Sequence, residues 1–228
     1  MSDEGAGLSG AWSPLWLSLK VASWSTLLAL AAGVALGWLV ARRRFPGREV
    51  FDALMTLPMV MPPTVLGYYL IVLLGRRGWL GGWLHERFDI VLMFTWQGAV
   101  VAAAVVAFPL VYKAARAAFE EVPVTVENAA RVLGSSEWAV FVRVTLPLAW
   151  RGILAGAMLA FARALGEFGA TLMVAGSIPG QTQTLSIAVY EAVQAGRDDV
   201  ANQLVLVTSA VCVAVLVGSG RLLRGRHG

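Results

Sequence analysis

The chain has 228 residues, 58% of them hydrophobic and 14% charged, with a mean hydropathy of +0.70 and a formal net charge of +4. A water-soluble domain of this length cannot hide that much apolar surface, so composition excludes an ordinary soluble enzyme and points to a membrane protein. The one cysteine, Cys212, excludes a disulfide framework and a cysteine-based metal site, and the excess of 18 basic over 14 acidic residues is explained by an inner-leaflet charge bias without any nucleic-acid partner.

Residues 1–13 are acidic and glycine-rich and lack the positive n-region of a signal peptide, so the first span is expected to direct its own insertion. Residues 15–41 hold a single charge, Lys20, in a run long enough to cross a hydrocarbon core of about 30 Å, which takes about 20 helical residues. Ala29, Gly33, Gly37 and Ala41 recur every four residues, the small-residue stripe that lets membrane helices approach closely. The basic cluster Arg42, Arg43, Arg44 and Arg48 follows, which the positive-inside rule places in the cytoplasm with the N-terminus outside. Residues 50–75 form a second apolar run interrupted by Pro58, Pro62 and Pro63. Carbonyls freed by proline must find partners or water, so this run reads as a broken helix facing a central path, with a kink used only for packing as the alternative. Residues 75–89 read as an outward loop whose Trp79 and Trp83 suit the membrane interface, while residues 90–112 form an uncharged third span ending at Lys113 and Arg116.

A polar island, ENAARVLGSSEWAVFVRVTLP, occupies residues 127–147. Val126, Ala129, Ala130 and Leu133 fall on one helix face, with Thr125 as N-cap after Pro123 and Gly134 as the residue past the C-terminus. Ser135 or Ser136 then caps a second short helix carrying Trp138, Phe141 and Val142, which Pro147 is expected to stop. This leaves Glu127, Asn128, Arg131, Glu137 and Arg143 for solvent or a partner. By periodicity alone the stretch is a solvated helical hairpin between spans.

The fourth span is expected at residues 150–174, with a second stripe at Gly152, Gly156, Ala160 and Ala164 and with Arg163 and Glu167 one turn apart. Charges at membrane depth cost at least about 2.5 kcal/mol each, so they point inward and pair. The pair reads as a mutual salt bridge that orients the helix; an anion attracted by Arg163 is the alternative. Residues 177–197 begin polar, and residues 185–195 are too short to cross unaided, so they read as a loop and short helix against the bundle. Residues 200–220 form the last span, and Arg221, Arg224 and Arg226 place the C-terminus inside, giving five crossings, or six if the short segment also crosses. An intramembrane enzyme is the rival class. There is no phosphate-binding loop, so the chain is not itself an ATPase. His85 and His227 are isolated, no metal-ligand spacing occurs, and Asp52 is the only aspartate near a span.

Ala129, Ala130, Gly134, Val144, Leu146 and Pro147 resemble the cytoplasmic coupling loop of permease subunits in ABC importers, whose signature is Glu-Ala-Ala, three residues, Gly, nine residues, then Ile-x-Leu-Pro. The chain departs from it at Asn128, where the family has Glu; the carboxylate stands one residue earlier, at Glu127. RALGEFGAT, residues 163–171, looks like the fourth-span signature of oxyanion importers for molybdate, tungstate, sulfate and thiosulfate. Residues 57–78 and 177–194, together with the compact length, look more like the molybdate than the sulfate permeases. The resemblance implies an all-α polytopic membrane bundle of five to six helices with the type I ABC importer permease fold, one permease domain over residues 1–228, and a coupling loop at about 123–147 that includes Glu127 to Ala130, Gly134, Leu146 and Pro147. It further implies a homodimer in a prokaryotic cytoplasmic membrane, two cytoplasmic ATPase subunits that bind ATP and Mg, and a periplasmic oxyanion-binding protein. No cofactor, metal or catalytic residue is expected in this chain. Ser177, Thr182 and Thr184 are the candidate anion donors, each equally an ordinary loop hydroxyl.

Overall fold

The computed structural model describes residues 8–43 and 45–224. Expectations that rest on residues 1–7, Arg44, Arg226 and His227 lie outside the described residues. Among the described residues every regular element is helical.

α1 (Leu8–Arg42) has 35 residues, about 50 Å at 1.5 Å per residue, so it overreaches a 30 Å core and carries Arg42 clear of it. Its small-residue stripe lies along α5 (Trp96–Glu120), the central helix. A Cβ on Gly33 would stand 2.9 Å from Val111 Cγ1, and one on Gly37 would stand 3.0 Å from the Arg116 amide nitrogen. α8 (Leu146–Leu165) lies on another side of α5 through the second stripe. There a Cβ on Gly152 would stand 2.6 Å from Ala118 Cβ, and one on Gly156 2.5 Å from Ala114 Cβ. Both stripes are therefore contact faces, and at their four glycines an added Cβ would meet a neighbour at 3.0 Å or less.

The same contacts fix direction. Moving from Gly33 to Gly37 on α1 moves forward along α5, from Val111 to Arg116, so the two helices are parallel. Moving from Gly152 to Gly156 moves backward, from Ala118 to Ala114, so α8 is antiparallel to α5. Two parallel neighbours require a return pass between them, and α2 (Arg48–Val60) with α3 (Pro63–Leu74) supplies it. α2 is tied near its start to Arg116 and Glu120 at the end of α5, whereas α3 packs on Ala102 and Val106 further back along it. The axes of α2 and α3 bend by 111°. Met61 and Pro62 each precede a proline and are held extended, with ψ 141° and 135°, so the prolines break this pass rather than kink it.

The expected loop at residues 75–89 winds instead into α4 (Trp79–Phe88). Its glycines permit close packing: a Cβ on Gly81 would stand 2.0 Å from the Leu74 carbonyl oxygen. α5 begins at Trp96 rather than at residue 90, because Asp89 and Phe94 adopt φ of 52° and 59° and Thr95 caps the helix, accepting the Gly98 amide at 3.1 Å. It runs on past residue 112 to Glu120.

The expected span over residues 150–174 is also redrawn. α8 starts at Leu146 and ends at Leu165; after a break at residues 166–168 the chain resumes as α9 (Gly169–Ala175). α10 (Leu185–Gln194) agrees with the short helix expected there. Its first amide donates to Ser18 Oγ of α1 at 2.8 Å, and it packs among Ala11, Ala201 and Leu204. α11 (Asp198–Arg224) completes the bundle; among the described residues four helices are long and apolar enough to cross a membrane, or five if the bent α2–α3 pair is one span.

Candidate functional site

The polar island forms an elbow that projects from one end of the bundle. α6 (Val124–Val132) starts after Pro123, two residues earlier than a Thr125 cap would allow, because the fixed φ of proline already suits helix entry and Thr125 lies inside the helix. It ends in a two-bond Schellman turn: the Ser135 amide donates to the Ala130 carbonyl at 3.1 Å and the Gly134 amide to Arg131 at 2.9 Å. Gly134 takes φ +84°, the left-handed region that turn requires. Ser136 then caps α7 (Glu137–Val140), its Oγ accepting the Ala139 amide at 3.3 Å.

Pro147 does not stop that second helix. α7 passes through a π turn at Phe141–Thr145 directly into α8, where Pro147 occupies the first turn. The widened turn shifts the hydrogen-bond register, with the Leu146 amide donating to Phe141, and absorbs the donor that proline lacks. The elbow's second arm is thus one rod with a membrane span. Phe141 anchors it at the base, 5.2 Å edge-on from Trp38 of α1 and 6.2 Å from Phe119 of α5.

Glu127 is the principal correction. The helical pattern assigned it to solvent or a partner, yet it is only 3% exposed. Its Oε1 accepts from Arg42 Nη2 at 2.6 Å and from Thr145 Oγ1 at 2.7 Å, and Arg131 stands 3.8 Å from Oε2. One carboxylate therefore joins the end of α1, the middle of α6 and the π turn that leads into α8. A buried carboxylate demands such partners, and α1 is long enough to bring one. Asn128, exposed, accepts from Arg131 at 2.8 Å; Arg131 also pairs with Glu137 at 2.7 Å, whose carboxylate raises the guanidinium pKa above its ordinary value, so this outer pair stays ionised. Ala129 is exposed and Ala130 and Leu146 are half-buried, Leu146 against the Phe119 cluster. The apolar face of α6 points away from the bundle: Val132 is 88% and Leu133 86% exposed.

A second polar clamp was not anticipated from the sequence. Asp52 of α2 accepts from Tyr112 Oη at 2.8 Å and pairs with Arg116, which holds Glu120 at 3.0 Å; Glu120 in turn pairs with Arg48 at 2.7 Å. It fixes the start of the broken pass against the end of α5.

Arg163 closes α8, and Glu167 lies in the break beyond it rather than one turn further along the same helix. Arg163 Nη1 stands 2.7 Å from Glu167 Oε2, and the other oxygen of Glu167, a residue 2% exposed, accepts the Ala170 amide at 2.8 Å and caps α9. The three hydroxyls are not gathered around this pair. Thr182 Oγ1 accepts the Ile178 amide at 2.9 Å within its own loop, Ser177 faces Gln183 at 3.4 Å, and the buried Thr184 hydroxyl has no hydrogen-bond partner in the structure. No cluster of three or more His, Cys, Asp or Glu suited to a metal occurs among the described residues. Taken together, Glu127 ties α6 to the end of α1 and to the π turn that leads into α8.

Residues 33–225 match the family model described as binding-protein-dependent transport system inner membrane component. The chain is 45% identical over 214 residues to the molybdenum transport system permease protein ModB of Escherichia coli K12, covering 93% of each. It is 37% identical over 205 residues to the sulfate transport system permease protein CysW of Synechocystis sp., covering 90% of this chain and 74% of that protein. The fold matches a chain of the methionine ABC transporter MetNI in an inward-facing conformation, with a TM-score of 0.73 at 18% identity over 99% of both chains.

Proposed function

We propose, from the premise that this chain belongs to the family of binding-protein-dependent transport system inner membrane components, that it is the permease subunit of an ABC importer and carries molybdate across the cytoplasmic membrane. The observation that carries the reading is the elbow: α6 is bolted to α1 and α8 through Glu127 while Val132 and Leu133 are left bare. Apolar side chains that exposed, on a polar stretch outside the spans, fit a groove on another protein. Greater identity to the molybdenum permease than to the sulfate permease favours molybdate as cargo.

In this reading the N-terminus lies outside, the elbow and the C-terminus inside, and two copies of the domain enclose a central path. Each elbow seats on one of two cytoplasmic ATPase subunits, which hold ATP and Mg, and a periplasmic binding protein supplies the oxyanion. Closure of the ATPase pair moves the elbow as a rigid body. Because Glu127 joins α6 to α1 and the second arm is continuous with α8, the displacement reaches two spans at once. Reconstitution of the chain with its ATPase and binding protein in liposomes tests this. ATP-dependent uptake of radiolabelled molybdate, competed by tungstate and little affected by sulfate, is the expected result. Sulfate as preferred cargo would overturn the assignment of the anion, and no ATP-dependent uptake of any oxyanion would overturn the permease reading.

The turn at Gly134 provides a sharper check on the elbow. Valine there is expected to be strained by roughly 1–2 kcal/mol at φ +84° and to pull the two arms out of register. The subunit should still insert and hydrolysis by the complex should continue while uptake falls several-fold, read as the ratio of transport to ATP consumed.

A further inference from the structure

Lys20 is the one charged side chain of α1 ahead of Arg42, and neither the elbow nor the clamps use it. Its Nζ stands 3.5 Å from the centroid of the Trp96 ring, a cation–π contact, and it forms no ion pair among the described residues. Beside it lies a cavity of about 390 Å³, walled by the first turns of α1, the start of α5 and the loop before α10. That volume is within the range of small-ligand sites. Ser13, Lys20, Gln97 and Gln181 line it with donors, and no carboxylate does. The other two hydroxyls on its wall are already engaged: Thr95 caps α5 and Thr182 closes its own loop. The N-terminal end of α5, with its partial positive charge, opens on the same space.

We infer that this cavity is an oxyanion site on the outer face of the subunit. The ammonium of Lys20, held over Trp96, supplies the charge, and the side-chain amides of Gln97 and Gln181 donate to the ligand's oxygens. The ligand class is a tetrahedral oxyanion, either free cargo released beside the path or the phosphate of a lipid headgroup. The inference rests on the permease reading, which places this end of α1 outside.

The test uses the purified complex of this chain with its ATPase, without binding protein, in equilibrium dialysis against radiolabelled molybdate. Saturable binding is expected, weakened at least tenfold by Lys20→Gln, several-fold by Gln181→Ala, and retained by Lys20→Arg, which controls for folding. Native mass spectrometry supplies the lipid arm. Phosphatidylglycerol retained by the native complex, lost from Lys20→Gln and displacing molybdate would assign the site to a headgroup phosphate. A Lys20→Gln complex that binds both ligands as the native one does overturns the site. Uptake separates the two levels: ATP-driven uptake by the native complex alongside unaltered binding in Lys20→Gln sinks the site alone, whereas no uptake by the native complex sinks the permease reading.

Discussion

Replacing Glu127 by leucine is expected to cut transport more than tenfold while the subunit stays in the membrane and the ATPase continues to turn over. The carboxylate joins α1, α6 and the π turn that leads into α8. Removing it leaves the Arg42 guanidinium and the Thr145 hydroxyl without their shared acceptor. Breaking a buried pair from one side costs about 3–5 kcal/mol, discounted here to roughly 2 because Arg42 keeps 19% of its side chain exposed. That penalty falls on one joint, not on the glycine-lined contacts among α1, α5 and α8, so the bundle should hold while α6 comes loose. Arg42→Leu should reproduce the defect. The Arg42→Leu/Glu127→Leu pair should regain stability without regaining coupling, since packing replaces the ion pair but does not restore the directional bonds. ATP hydrolysis and uptake measured in the same proteoliposomes decide it: a Glu127→Leu complex that transports at the native rate per ATP would remove the joint from the mechanism.

Arg163→Ala is expected to destabilise the subunit by roughly 1–2 kcal/mol, discounted because Arg163 keeps 37% of its side chain exposed, since it strands Glu167 at 2% exposure with one remaining partner, the Ala170 amide. Arg163→Ala combined with Glu167→Gln should recover most of the loss, as glutamine keeps an acceptor for that amide and removes the uncompensated charge. Thermal unfolding in detergent reads the difference. If Arg163→Ala unfolds at the native temperature but no longer transports, Arg163 serves the anion and not the α8–α9 corner.

Much of the architecture was legible because membrane helices announce themselves through small-residue spacing and uninterrupted apolar length. Both glycine stripes became contact faces, Gly134 took the left-handed turn, Ser136 capped the second arm and α10 stayed short. Glu127 was misread because a one-helix pattern registers only the residue's own neighbours; its partners lie 85 positions before it and 18 after it. The signal available was Arg42 at the end of a helix too long for the bilayer. Pro147 was misread because local rules carry no term for a π turn that accommodates proline by register shift. At residues 75–89, expected as an outward loop, the chain winds into α4, where Gly81 permits close packing against the end of α3. In the clamp only the Arg116–Glu120 pair, four positions apart on α5, has a local trace; Asp52 joins it from 64 positions away and leaves none.

The central claim, that the elbow is a cytoplasmic handle gripped by an ATPase, is tested most directly by accessibility. With Cys212 changed to serine, a Leu133→Cys chain carries one thiol, at the exposed residue that ends α6. A membrane-impermeant maleimide should modify it in inverted vesicles stripped of the ATPase, fail to do so once the ATPase is added back, and never reach it in intact cells. Modification of that thiol from the outside of intact cells would contradict the claim.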